Sequence, residues 1–408
     1  MNTEKLKDIV RPFIPDVIIN MREEARNRKA LQGMHEYKHL SSPCKGDKPF
    51  GVNFYGDTKA GTGLSRSAVI LLQEIKDKGV PVHFHRVEEW SGEPKEEEGE
   101  GDYAINIFHL QPSVFLRFIG YAGQDLLEGH YNIGHWAWET PDVPSVWKDV
   151  GRYFDEMWCP SAFVADAIRK VTDNPVMDVH HGFFEFEDRD GAVIRKKYGI
   201  PADAFTVLIL YDARSSAARK NPDAAVEAFV KAFPEMPEDV YLILKGKHFT
   251  AAQKKKLMNK LGNRKNVIQV DTMLPWDEAQ ELVAACDALI SLHRAEGFGL
   301  PVAEMMSYGG VVIGTDYSAT TEFMDADSGC PVAYKLIKTK VTHKPYPRGT
   351  VWADPDASDA AVKLKKVYED PELRKRLGEN AKKRVREILA AGNIGQKVYE
   401  RLKQIYGE

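Results

Sequence analysis

The chain has 408 residues, too many for one ordinary hydrophobic core and enough for two domains of usual size. Its 56 Lys and Arg against 60 Asp and Glu give a formal net charge of -4 and a pI near 6.3, a balance that speaks against a nucleic-acid partner or any other polyanion. The cysteines, Cys44, Cys159, Cys286 and Cys330, are scattered without a CxxC pair, indicating neither a disulfide framework nor a zinc site and fitting a reduced, cytoplasmic setting.

The opening MNTEKLKDIV has no signal-peptide core, and no apolar run approaches the ~20 residues of a membrane span, although peripheral contact with a membrane surface stays open. Residues Met1 to about Pro49 are polar and helix-rich, and the basic part from Met21 to His39 reads as a solvated helix face. After Pro49 short apolar strands at Phe50–Tyr55, Val80–Phe84, Ala104–Phe108, Asn132–Trp136 and Met157–Pro160 alternate with helical stretches, the rhythm of a parallel sheet covered on both faces. The first strand runs into GDTKAGTGLSRS, a glycine-bearing loop that opens a helix. It is not an NAD fingerprint, because Gly61 and Gly63 lack the third glycine and no acidic residue ends the second strand. The like-charged Glu93–Asp102, EPKEEEGEGD, reads as a mobile solvated loop. His135 falls at the carboxyl end of the fourth strand, where open α/β sheets bind ligands, with Trp136, Trp138 and the lesser candidate Glu139 beside it. Ser161 is a good N-cap for the next helix. A strand near Val176–His180 and the turn HHGFFEF close the first domain, and a hinge is expected between Phe186 and Ala204.

A second domain starts with a buried strand at Thr206–Tyr211, followed by DARSSAARKNP, whose Pro222 marks a helix start. Arg214 and Lys220 lie in that loop at the strand's carboxyl end, a fork donor and a point charge able to reach a diphosphate. Strands at Val240–Leu244, Val267–Val270, Ala288–Leu292 and Val311–Gly314 follow. The fourth of these five leads into SLHRAEGFGLPVAE, Ser291–Glu304, in which Gly297 and Gly299 bring the backbone close to a ligand and Pro301 opens a helix. The N–H groups of Gly299, Leu300 and the first turn, backed by the helix dipole, make a phosphate seat. The carboxylates bracketing it, Glu296 and Glu304, would repel phosphate but bind hydroxyls as acceptors. A diphosphate flanked by hydroxyls on both sides is a nucleotide sugar. The segment Thr315–Asp325 opens another helix carrying Glu322, and from Asp354 onward the chain is helical and charged.

The string EGFGLPVAE resembles the Glu-x7-Glu signature of glycosyltransferase family four, the retaining transferases with the GT-B fold. The resemblance covers nearly all of the chain after Pro49. It implies an α/β chain of two Rossmann-like parallel-sheet domains facing across a cleft, here 1–190 on the acceptor side and 191–390 on the donor side, with a last helix, 391–408, crossing back to the first domain. It assigns Glu296 to a hydroxyl of the transferred sugar, Glu304 to the ribose, and Arg214 and Lys220, in the spacing R-x5-K, to the donor phosphates. Phe298, Gly299 and Leu300 join them as donor-binding residues, and Gly61 and Gly63, with Thr62 and Ser65 less strongly, line the cleft beside the diphosphate. The resemblance also sets His135 against a sugar hydroxyl, DTMLPW after Val270 beside the base, and FDEMWCPSAF in a structural role. The expected chemistry is metal-independent transfer with retention, without a cofactor, from a nucleotide-sugar donor to a glycan, lipid-linked or small-molecule acceptor. The donor sugar, the base and the oligomeric state are left undetermined. A GT-B nucleotide-sugar epimerase and a GT-B phosphorylase, often with pyridoxal phosphate on a lysine, are the rival enzymes. A binding protein without turnover is opposed by the intact set of Arg214, Lys220, Glu296 and Glu304.

Overall fold

The computed structural model describes residues 15–44, 46–182 and 189–408. The chain forms two compact units, one of Met1–Phe184, Lys338–Thr350 and Ala391–Glu408 and the other of Glu185–Ile337 and Val351–Ala390. The start of the expected hinge and most of the HHGFFEF turn lie outside the described residues, as do the first 14 positions of the polar opening.

In the first unit, α1 (Asp16–Gln32) precedes β1 (Val52–Gly56), α2 (Gly63–Asp77), β2 (Val82–Val87), β3 (Pro94–Glu98), β4 (Ile105–His109), α3 (Pro112–Ala122), β5 (Tyr131–His135), α4 (Val146–Gly151), β6 (Glu156–Cys159), α5 (Ala162–Arg169) and β7 (Val176–Asp178). The sheet runs β3-β2-β1-β4-β5-β6-β7, parallel except for β3, which lies antiparallel on β2. The runs β1, β4 and β5 are buried at every position, as strands covered on both faces must be. Their register aligns Asn53, Asn106 and Asn132, whose amides hydrogen-bond in a ladder at 2.9 and 2.8 Å and end on the Tyr37 hydroxyl at 2.7 Å. Buried polar groups so paired are structural. Tyr37 also donates to Asp155 at 2.7 Å, so the basic stretch is not one helix face: α1 stops at Gln32 and Tyr37, beyond it, is buried.

Glu93–Asp102 is likewise not a bare loop, because Pro94–Glu98 forms an edge strand. Its carboxylates meet cations brought from elsewhere, Glu96 with Lys59 and Arg86 and Glu98 with Lys76, which removes the like-charge repulsion.

The second unit carries α6 (Ala192–Tyr198), β8 (Phe205–Asp212), α7 (Ala217–Lys220), α8 (Pro222–Ala232), β9 (Val240–Lys247), α9 (Ala251–Leu261), β10 (Val267–Val270), α10 (Trp276–Ala284), β11 (Ala288–Ser291), α11 (Leu300–Ser307), β12 (Val311–Thr315), β13 (Cys330–Val332), β14 (Tyr334–Lys338), β15 (Val351–Pro355), α12 (Ala357–Glu369) and α13 (Pro371–Ile388). Its main sheet is parallel in the order β10-β9-β8-β11-β12-β13. Thr315–Asp325 holds only a 3-10 turn, Ala319–Glu322, rather than a helix.

Residues 391–408 join the first unit: in α14 (Ala391–Tyr406), Ile394, Val398, Leu402, Ile405 and Tyr406 share a core with Val52, Phe54 and Ile75. In both sheets the strand order reverses beside the first strand of the unit, between β1 and β4 and between β8 and β11. Loops diverge at such points and leave a crevice at the carboxyl ends of the strands.

Candidate active site

In the second unit the crevice is built from the loops after β8 and β11. Asn221 adopts φ 54° and its side chain donates to the Leu292 carbonyl at 3.1 Å, while Arg219 donates to the Ala295 carbonyl at 2.8 Å, so the two loops are clamped together. Between them lies Glu296, only 7% exposed, whose backbone N–H is fixed by the Ser318 hydroxyl at 2.8 Å. One of its oxygens accepts from Lys220 at 2.5 Å and the other faces Arg219 at 3.0 Å. Burial alone would raise its pKa, but Lys220, Arg219 and the nearby His293 outweigh that and hold it down to about 2. Glu296 is therefore ionised and aimed by two cations. Lys220, Glu296, Gly299, Pro301 and Val302 line a cavity here together with strand residues of β8 and β11.

Gly299 caps α11 with φ 97°, and a Cβ there would stand 2.5 Å from the Thr320 methyl, so only glycine fits. The helix begins at Leu300 with Pro301 as its next residue, one position earlier than the proline suggested. Leu300 is half-buried. Phe298 packs inward on Phe323 with ring centroids 5.3 Å apart, which makes it a support of the turn. Glu304 is 8% exposed on α11 and is not among the cavity-lining residues. Arg214 is exposed in a short 3-10 turn, and among the described residues its guanidinium makes no ion pair. The buried cation beside Glu296 is Arg219, which the R-x5-K spacing does not single out; its adjacency to Lys220 is the signal the sequence carries.

In the first unit the crevice between β1 and β4 holds a pocket lined by Asp57, Ser65, Glu89, His109, Gln111 and His135 among others. His135, 2% exposed, stacks on His109 at 4.3 Å and 15°, with His181 at 6.4 Å. Burial, reinforced by the neighbouring imidazoles and for His181 by Arg66, pushes His181 down to about 3 and His135 well below its ordinary value, and burial alone pushes His109 down to about 4, so the three rings are neutral. His109 Nε2 lies 2.8 Å from the Ser67 hydroxyl, whereas His135 Nδ1 is buried without a partner among the described residues. Gly61, at φ 66°, and Gly63 are exposed in the loop at the head of α2, where Thr62 caps the helix by accepting from the Ser65 N–H.

Thr62 also donates to Glu89, an acidic residue just beyond β2. The second strand extends to Val87, three residues past the expected end, so an acidic pair, Glu88 and Glu89, does follow it; the argument against an NAD fingerprint then rests on the missing third glycine. Burial pushes Glu89 up to about 7 against the opposing Thr62 hydrogen bond. Glu139 accepts from the Tyr346 hydroxyl at 2.7 Å, a packing contact within the same unit.

No curated protein matches the chain in sequence. Solved structures do match its fold. Anabaena HepE, in complex with UDP and glucose, is 14% identical with TM-score 0.62, over 87% of this chain and 99% of its own. A glycosyltransferase from Rickettsia africae is 13% identical with TM-score 0.64, over 87% and 98%. A sucrose-phosphate synthase from Thermosynechococcus elongatus is 14% identical with TM-score 0.63, over 88% and 99%. Residues 192–384, which hold the Glu296 cluster and α11, match the model of glycosyl transferases group 1. The chain thus has the GT-B fold, and the part of it that matches glycosyl transferases group 1 is residues 192–384, in the unit that carries Glu296.

Proposed function

We propose that this protein transfers a sugar from a nucleotide diphosphate sugar to an acceptor hydroxyl, with retention and without a metal. The observation that carries the reading is Glu296, buried and held ionised by Lys220 and Arg219 at the turn into α11. A carboxylate so fixed is an acceptor for sugar hydroxyls. Lys220 has three donor positions and spends one on Glu296, which leaves donors for the diphosphate beside the N–H groups of Gly299 and Leu300. As the bond from sugar to phosphate breaks, negative charge grows on the leaving diphosphate, and Lys220, the helix N-terminus and the exposed Arg214 oppose it electrostatically. Those groups supply the charge that a divalent ion supplies elsewhere. Glu304 is assigned to the ribose, and neutral His135 to a sugar hydroxyl. Asp57 and Glu89 suit a polyhydroxylated acceptor in the pocket of the first unit.

The test is a panel of nucleotide sugars with and without an added alcohol, followed by NMR for nucleoside diphosphate release and anomeric configuration, with and without EDTA. Acceptor-dependent release with retained configuration, insensitive to EDTA, is expected. An altered sugar without diphosphate release would mark an epimerase, and a need for free phosphate would mark a phosphorylase. Inversion would refute retention. Full loss on chelation, restored by magnesium or manganese, would refute metal independence.

A further inference from the structure

The sheet edge opposite β7 carries a cluster that the transfer reaction does not use. His83 and His85 alternate along β2, so they share one face, and the antiparallel register places Glu97 of β3 directly opposite His85. Their ring centroids are 4.0 Å apart. Glu97 Oε2 lies 3.6 Å from His83 Nε2, Glu97 Oε1 lies 3.1 Å from His85 Nδ1, and one ligand atom from each of the three residues falls within 4.8 Å of the others. We propose that His83, His85 and Glu97 bind one zinc ion, with water completing the coordination.

The surroundings fix the donors. His83 Nδ1 is 2.8 Å from the Gly101 carbonyl, and because a carbonyl only accepts, that nitrogen carries the proton. Its Nε2 then points a lone pair at a carboxylate oxygen, an arrangement that needs a cation or a second proton between them. Protonating both rings, whose centroids are 4.0 Å apart, would set two positive charges side by side, whereas one zinc ion satisfies both rings and the carboxylate. The hydrogen bond to Gly101 also has the form of the outer-shell contact that orients metal-bound imidazoles. His85 is held by its stack on Tyr55 at 4.6 Å and 12°, and Tyr55 in turn stacks on Phe108. Both imidazole side chains are 17% exposed while that of Glu97 is 66% exposed, leaving room for water. Two imidazoles and a carboxylate match zinc, whereas magnesium and calcium prefer all-oxygen sites. Zinc bonds of about 2.0–2.2 Å set neighbouring ligands roughly 3.5 Å apart, so small side-chain movements complete the site. The ion clamps β3 at the one carboxylate, of Glu96, Glu97 and Glu98, that has no Lys or Arg partner among the described residues. Its ligands are histidines and a glutamate, which is why cysteine spacing gave no hint of it.

The full chain, stripped with chelator and desalted, is titrated with zinc against a chromophoric chelator and with cobalt by visible absorption. One equivalent should bind, with cobalt bands of low coordination number and a zinc-dependent rise in thermal midpoint. His83→Gln and Glu97→Gln, which leave the His85 stack in place, should weaken zinc by on the order of tenfold to a hundredfold or more and remove the rise. His35→Gln, in the exposed cluster with Asp125 and Glu128, should change nothing. The proposal is overturned if no saturable equivalent binds, if His83→Gln and Glu97→Gln bind zinc like wild type, or if His35→Gln abolishes binding. These readouts are independent of sugar transfer.

Discussion

Lys220 lies 2.5 Å from Glu296, so the cation expected on the donor phosphates also holds the carboxylate expected on the donor sugar. Lys220→Ala should therefore weaken nucleoside-diphosphate binding by on the order of tenfold to a hundredfold, the size of a charge-assisted hydrogen bond, and lower turnover as well. Arg214→Ala should weaken the same ligand without lowering the thermal midpoint, because Arg214 is exposed. Arg219→Ala should destabilise the fold more than Lys220→Ala, by about 3–5 kcal/mol, since Arg219 is itself buried and ties the Ala295 and Ser215 carbonyls as well as the Glu296 carboxylate. Calorimetric titration and thermal unfolding of the three variants check this. Wild-type affinity in both Lys220→Ala and Arg214→Ala would defeat the phosphate assignment.

The two acidic residues that bracket the turn should separate cleanly. Glu304→Ala should weaken nucleoside diphosphate and nucleotide sugar alike, by on the order of tenfold to a hundredfold. Glu296→Gln keeps the size of the side chain but loses its charge; it should spare nucleoside-diphosphate affinity and lower turnover on the full donor, because its contact tightens as the sugar becomes cationic. Equal losses of diphosphate affinity in both would mean that Glu296 does not face the sugar.

A third prediction concerns pH. His109, at about 4, and His181, at about 3, stay neutral above pH 5, and His135 titrates below its ordinary range. Glu89, pushed up to about 7, is left as the group that changes charge near neutrality in that pocket. Activity should rise with an apparent pKa near 7 as Glu89 ionises and becomes a stronger acceptor for hydroxyls, and Glu89→Gln should flatten that limb. A limb that persists in Glu89→Gln would reject the assignment.

Glu74 offers a test of stability. It is buried on α2, accepts from the Gly182 N–H at 2.9 Å, and burial pushes it up to about 8. The folded state binds its proton more tightly than the unfolded chain does, so this group lowers stability as pH rises from its ordinary value toward about 8 and has no further effect beyond. Glu74→Gln keeps the acceptor and should raise the thermal midpoint at pH 8 by roughly 2–4 °C for each kcal/mol recovered, with little change near pH 4. Calorimetric scans at the two pH values would show it. An equal shift at both would rule out the ionisation.

What the sequence made legible is what local chemistry determines. The strands β8 and β11 read as uniform apolar runs because both faces are covered, and the Gly299 turn reads as a ligand seat because backbone freedom, proline and helix start are all local. The errors came from partners distant in sequence. PKEEE looks unable to form a strand until Lys59, Lys76 and Arg86 are set beside it. Glu89 escapes notice because polar His85 and Arg86 interrupt β2 before Val87 and hide the end of an edge-proximal strand. Arg219 was passed over because which of two adjacent cations turns inward depends on the Ala295 carbonyl, 76 positions later.

The return of α14 bears on the order in which the protein can mature. During synthesis the first sheet leaves the ribosome before any of the second unit, yet Val398, Leu402 and Ile405, which close its core, are made only after that unit is complete. The unit that is made first is the last to be finished, so its apolar face around Val52, Phe54 and Ile75 stays uncovered while the second unit forms, and it is over this interval that the nascent chain most needs protection from aggregation.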